Sequence, residues 1–107
     1  MTHPTTHDLE RCLAKWAGVE IVWNTACDWW AIPLNPQDVW HPLTDANQME
    51  LCEGGVKVKH KIKYEWDGEC WHVQLDYGVY YRNDPDKKTA FALAVWELDQ
   101  QQMKGDA

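Results

Sequence analysis

Residues 56–77 read VKVKHKIKYEWDGECWHVQLDY. Apolar and aromatic side chains alternate with polar ones on both sides of Asp67-Gly68, a dipeptide that favours a tight hairpin turn. A two-residue turn there sets the expected pairing. Trp66 faces Glu69, Tyr64 faces Trp71, Ile62 faces Val73, His60 faces Leu75 and Val58 faces Tyr77. Successive side chains point to opposite faces of a strand. These pairs therefore share one apolar face, and Lys57, Lys59, Lys61, Lys63 and Glu65 share the other with Cys70, His72, Gln74 and Asp76. An isolated hairpin is marginal in water, so the apolar face needs a cover of helices. The lysine face is expected to meet solvent.

Helices flank this hairpin in the sequence. Leu9, Cys12, Leu13 and Trp16 recur at helical spacing within Asp8–Ala17, with Thr6 as the expected N-cap and Gly18 as the C-cap. A second helix is expected to open at Thr44-Asp45, bury Met49 and Cys52 with Ala46 and Leu51, and end at Gly54-Gly55. A third is expected from Pro85, capped by Asp84, to about Gln102. Ala90, Phe91, Ala94, Val95 and Leu98 form its buried stripe. Val19–Trp23 and Val79–Arg82 suit short strands by their β-branched and aromatic content. Asn24–Pro42 holds Pro33, Pro36 and Pro42 among Trp29, Trp30 and Trp40. Proline at that density excludes a helix interior or a central strand, so a long packed connection is expected. The fold class is α+β: an antiparallel sheet built on the 56–77 hairpin and packed against about three helices, an α/β sandwich. One domain is expected over 1–107, with 1–5 and 103–107 as loose tails.

Several of these segments resemble a known family. Trp40-His41-Pro42-Leu43-Thr44-Asp45, leading into a helix that ends Leu51-Cys52-Glu53, is similar to the helix entry of the phage ABA sandwich domain. The initial helix Leu9–Trp16, the strand-Asp-Gly-strand unit and the alanine-rich final helix Thr89–Leu98 follow in the family's order. The resemblance implies helices on both sides of a sheet, a phage or prophage origin and an accessory role in the infected cell. It brings no catalytic residues.

Net charge is −7 on 107 residues. That balance disfavours general affinity for nucleic acid or anionic membranes. No apolar run reaches the length of a membrane helix and no secretory leader is visible, so a cytoplasmic protein with reduced thiols is expected. Cys70 and His72 lie on one strand face, but no second close pair completes a zinc set. Cys27 beside Asp28, or Cys70 near His72, lacks any activating motif for a nucleophile. No paired carboxylates or phosphate-cradling glycine loop stand out. The expectation is no metal, no cofactor and no catalysis.

Eight tryptophans against one phenylalanine is the compositional oddity. Tryptophan is enriched at interface hot spots, and prolines reduce the entropy a loop loses on docking. The expected function is therefore protein binding: a host protein or defence complex, with an inhibitor of the anti-CRISPR kind or of a host nucleic-acid enzyme as its concrete form. Trp29, Trp30 and Trp40 with the acidic Glu50, Glu53, Asp84 and Asp86 make up the expected contact surface. The alternative is single-stranded nucleic acid on Lys57, Lys59, Lys61 and Lys63. Alternation opposes that alternative, because it sends the aromatics and the lysines to opposite faces. A monomer or homodimer is expected.

Overall fold

Thr5 starts the first helix through a reciprocal cap. Its hydroxyl accepts from the Asp8 N–H, and the Asp8 carboxylate accepts from the Thr5 N–H. The computed structural model describes residues 4–26, 29–33 and 35–105. Helix α1 is Thr6–Ala17, and strands β1 (Val22–Asn24), β2 (Trp29–Ile32) and β3 (Asn35–Val39) follow it. Helix α2 is Ala46–Lys57. Then come β4 (Ile62–Trp66), β5 (Trp71–Leu75), β6 (Tyr80–Asp84) and α3 (Lys87–Gly105). No helix among the described residues is long and apolar enough to cross a membrane.

The strands form two antiparallel sheets, β1-β2-β3 and β4-β5-β6. The helices lie between them. Helix α3 packs on β5 and β6, α1 packs on both α3 and α2, and β2 reaches α1 from the far side. Inner-face residues Val73 and Leu75 meet Phe91, Val95 and Leu98 of α3 and Leu13, Met49, Cys52 and Val56 of α1 and α2 in one core. The α+β sandwich and the expected α3 stripe are both present. The outer face of β4-β5-β6 carries exposed Lys63, Glu65 and Tyr81 and no helix among the described residues. The two-sided cover that the resemblance implies is not found on this sheet.

Several local expectations change, among them the cap of α1, which is Thr5 rather than Thr6, and that of α3, which is Asp86 rather than Asp84. The hairpin closes with four residues rather than two, so Trp66 pairs with Trp71, Tyr64 with Val73 and Ile62 with Leu75. Asp67 makes the wider loop favourable: one carboxylate oxygen accepts from the N–H groups of both Glu69 and Cys70 at 2.8 Å. The tryptophan pair it brings together has centroids 5.3 Å apart, within the range of a favourable aromatic pair. The shift is two residues, so each side chain keeps its face.

Second, α2 runs through Gly54-Gly55 to Lys57. The strand consequently begins at Ile62, and residues 56–61 leave the expected hairpin. Third, Asp45 rather than Thr44 caps α2, accepting from the Gln48 N–H, and Ala46 and Leu51 lie on its exposed side. Fourth, the proline-free Trp29–Ile32 is a central strand, against the exclusion that the proline density implies, and the connection rich in proline and tryptophan is not a packed loop. It makes the second sheet, with a register shift at Ala31/Ile32, Pro33 in the β2–β3 turn and Pro36 on the edge strand. Those are the positions where a missing N–H is tolerated. At the carboxyl end, α3 continues to Gly105, past the expected Gln102.

Candidate interaction surface

The tryptophans expected to face a partner are largely held inside. Trp40 is 1 % exposed, and its indole N–H donates to the Glu10 carbonyl at 2.7 Å. This corrects its assignment to the surface. The chain enters α2 underneath α1, and Gln48 fastens it there by donating to the Val39 carbonyl and accepting from the His41 N–H. Trp30 donates to the His7 carbonyl and packs edge-on against Trp23, with centroids 5.0 Å apart. Trp29 is half-buried.

The acidic residues differ in how far they are engaged within the fold. Glu50 is exposed on α2, whereas the Glu53 carboxylate accepts from the Tyr64 hydroxyl at 2.8 Å. Burial first, and that carboxylate second, push the Tyr64 hydroxyl well above its ordinary range. Asp84 accepts from the Asp86 N–H, and Asp86 caps α3 by accepting from Thr89. Glu53 also borders a cavity of about 140 Å³ with Met49, Tyr64, Phe91, Lys87 and Lys88. The Lys87 ammonium lies over the rings of Tyr64 and Trp71, 4.4 and 5.1 Å from their centroids. Cation–π contact of this kind fixes the lysine and offsets the nearby acids.

The four lysines do not share a face. Lys57 ends α2, Lys59 lies in the turn after it, Lys61 precedes β4, and Lys63 is on β4. Lys57, Lys59 and Lys61 are instead exposed at the end of α2 and along the α2–β4 turn, which meets the β5–β6 turn in a corner at Asp76. Asp76 ties the two turns together: its N–H donates to the Lys61 carbonyl, and its carboxylate accepts from the Lys61 N–H and meets His60 Nδ1 at 2.7 Å. The His60 ring packs edge-on against Trp16 of α1.

This clasp presents Val58, Tyr77 and Val79, which are 78, 88 and 69 % exposed. Asp76 and Tyr77 both have left-handed backbones, with φ of 53° and 61°, followed by Gly78 at 95°. For a bulky aromatic residue that conformation is strained. Sequence reading places Tyr77 on the inner face opposite Val58. The available signal was Asp-Tyr-Gly, an aromatic residue inside turn chemistry.

The clasp carries a pH dependence. The hydrogen bond to His60, then the Lys61 N–H, hold the Asp76 carboxyl below its ordinary value of 3.8. Its stabilisation is therefore present above that value and lost as pH falls through the lower folded-state value. We expect Asp76→Ala to destabilise the fold by about 1–2 kcal/mol at neutral pH, measured by urea unfolding. The difference from wild type should shrink toward acid pH, and an unchanged difference across that range would remove His60 and Lys61 as the cause.

Tyr81, His72 and Asp67 form a second cluster, on the outer face of β4-β5-β6. The Tyr81 hydroxyl bonds to His72 Nδ1, and His72 Nε2 meets the Asp67 carboxylate at 2.5 Å. That partner, with the two loop N–H groups, holds the Asp67 carboxyl far below its usual range. The order matches a hydroxyl, a base and a group that orients the base. Here it fastens the 67–70 loop to the open sheet surface, while the cavity lies on the inner side with Tyr64.

Both His72 ring nitrogens are thus engaged within the protein. No metal-holding cluster occurs among the described residues. Cys12, Cys52 and Cys70 are free thiols. Burial pushes Cys12 and Cys52 up to about 12, and Cys70 is raised by desolvation and by Asp67, Glu69 and Asp84. None has the electropositive setting of a reactive thiolate. Cys27 and Asp28 lie outside the described residues.

No family model matches the chain, and no curated protein or solved structure matches it either.

Proposed function

We propose that this chain is a non-catalytic binding module that acts by docking onto another protein through the Val58–Tyr77–Val79 corner. The observation that carries the reading is Tyr77: a large aromatic side chain held almost fully in solvent on a strained left-handed backbone. At that exposure the ring gains little packing to offset the strain, which is how residues kept for recognition behave. The family resemblance extends the proposal to a phage or prophage accessory protein that modulates a host protein. An inhibitor of a defence complex or of a nucleic-acid enzyme is its concrete form. Trp29 and Glu53, which borders the α2–α3 cavity, then lie outside the main contact.

A tagged pull-down from host lysate tests this, comparing wild type with a Tyr77→Ser, Val79→Ser double variant. We expect saturable recovery of a partner by wild type and its loss from a variant whose circular dichroism and melting are unchanged. Recovery of no saturable partner, or equal recovery by the variant, overturns the proposal.

A further inference from the structure

We infer that the segment recognised at this corner is an acidic peptide with apolar anchor residues, so that the proposed protein-binding role is that of a reader of acidic, hydrophobic motifs. The inference rests on the binding-module reading and deepens it by naming the chemistry of the partner. Lys57, Lys59 and Lys61 are exposed at the end of α2 and in the turn after it, with Val58 among them, and Asp76 joins that turn to the one that exposes Tyr77 and Val79. Asp76 is the one acid on those turns. Both of its carboxylate oxygens are turned to His60 and the Lys61 N–H, away from the lysine ammonium groups' task. Asp76 keeps its charge there, and the three lysines still outnumber it on a chain whose net charge is −7. Charge complementarity of this local kind selects an acidic ligand.

Magnitudes decide between peptide and nucleic acid. Three lysines neutralise at most three phosphates, which gives a salt slope of only about −2 for a single strand. A long polyanion would also meet the negative field of the rest of the molecule. A short acidic peptide meets the corner alone. Val58 and Val79 are aliphatic, and they give bases no stacking surface while suiting Phe, Leu or Ile anchors. The His60–Asp76 clasp holds the corner in place before binding, which reduces the entropy lost on association.

The test is fluorescence anisotropy with a labelled synthetic peptide in which Asp and Glu residues flank a Phe-Leu-Phe anchor. Two control peptides carry Asn and Gln for the acids, or Ser for the anchors, and oligothymidylate is the nucleic-acid probe. We expect the acidic peptide to bind in a salt-sensitive way, and both control peptides to bind about tenfold more weakly or worse. Lys59→Glu and Tyr77→Asn should each weaken the acidic peptide about tenfold.

Asn tolerates the left-handed conformation. Tyr77→Asn should therefore leave the melting temperature unchanged or raised, so its loss of binding is not a loss of fold. Equal binding of the neutral peptide overturns the inference. So does indifference to Tyr77→Asn, tighter retention of oligothymidylate, or no binding of the acidic peptide. In each of those cases a partner that still depends on Tyr77 and Val79 in the lysate experiment leaves the binding-module proposal standing. If that experiment recovers none, the proposal itself falls.

Discussion

Gly55→Ala should destabilise the protein by about 3 kcal/mol or more, whereas Gly54→Ala, one residue earlier in the same helix, should stabilise it by about 0.5–1 kcal/mol. Both glycines lie in the last turns of α2, and both cost a helix conformational entropy relative to alanine. Their surroundings differ completely. A Cβ at Gly54 would meet nothing within 4 Å. At Gly55 it would lie 1.8 Å from the Trp16 carbonyl oxygen and 2.7 Å from the carbonyl carbon. Those atoms are backbone of α1, so no rotamer change relieves the clash and the two helices must separate.

Separation would open the contact that buries Cys12, Leu13, Cys52 and Val56. It would also disturb Trp16, whose ring holds His60 beside the Asp76 clasp. Paired urea titrations of the two variants measure the contrast. Equal effects at the two positions would refute the close crossing of α1 and α2.

That glycine pair shows where the sequence was legible and where it was not. Gly-Gly is ordinarily punctuation, and ending the second helix there left six residues to extend the hairpin back to Val56. The real use of Gly55 depends on a helix 39 residues earlier in the chain, Gly55 against Trp16, and no local pattern reports it. Alternation, by contrast, is a local property. It correctly placed Tyr64, Val73 and Leu75 inward and Lys63 and Glu65 outward. It could not choose between registers that differ by two residues, because both satisfy the same faces. Asp67 and the Trp66–Trp71 contact decided that.

The second sheet escaped for a related reason. Prolines exclude central strands but allow turns and edges, and a three-stranded meander consists mostly of those. The site was least legible of all. Lys57, Lys59 and Lys61 look like one face of a strand when the strand is assumed to begin at Val56. Once α2 takes Val56 and Lys57, they lie at a helix end and along the turn after it. Tyr77 joins them only because Asp76 connects two turns across the fold. Strand alternation argues against a shared basic and aromatic surface, and alternation does not operate where the chain has left the strand.

Trp40→Ala should destabilise the fold by about 3–5 kcal/mol, the usual range for emptying a buried aromatic site. Small domains have total stabilities of about 5–15 kcal/mol, so much of the margin would go. Trp40 fills the space beneath α1 together with the buried Pro42. Its N–H is also the partner of the Glu10 carbonyl. Beside it, His41 Nδ1 meets the Glu10 carboxylate at 3.2 Å, a buried acid whose pKa burial raises and His41 opposes. Removing the indole would therefore leave a cavity, one hydrogen bond fewer between the entry segment and α1, and a loosened entry to α2.

Trp40→Phe separates these contributions. It retains most of the ring volume and loses the hydrogen bond, while the Glu10 carbonyl keeps its helical partner, so a loss of about 0.5–1.5 kcal/mol is expected. The two variants also discriminate between roles for the tryptophans. A residue at a partner surface would lose binding on substitution and leave the urea midpoint in place. Trp40 should do the reverse, with its folded fraction still competent at the Tyr77 corner. A stable Trp40→Ala protein that no longer retains its partner would return Trp40 to the surface and make the 29–40 segment the contact.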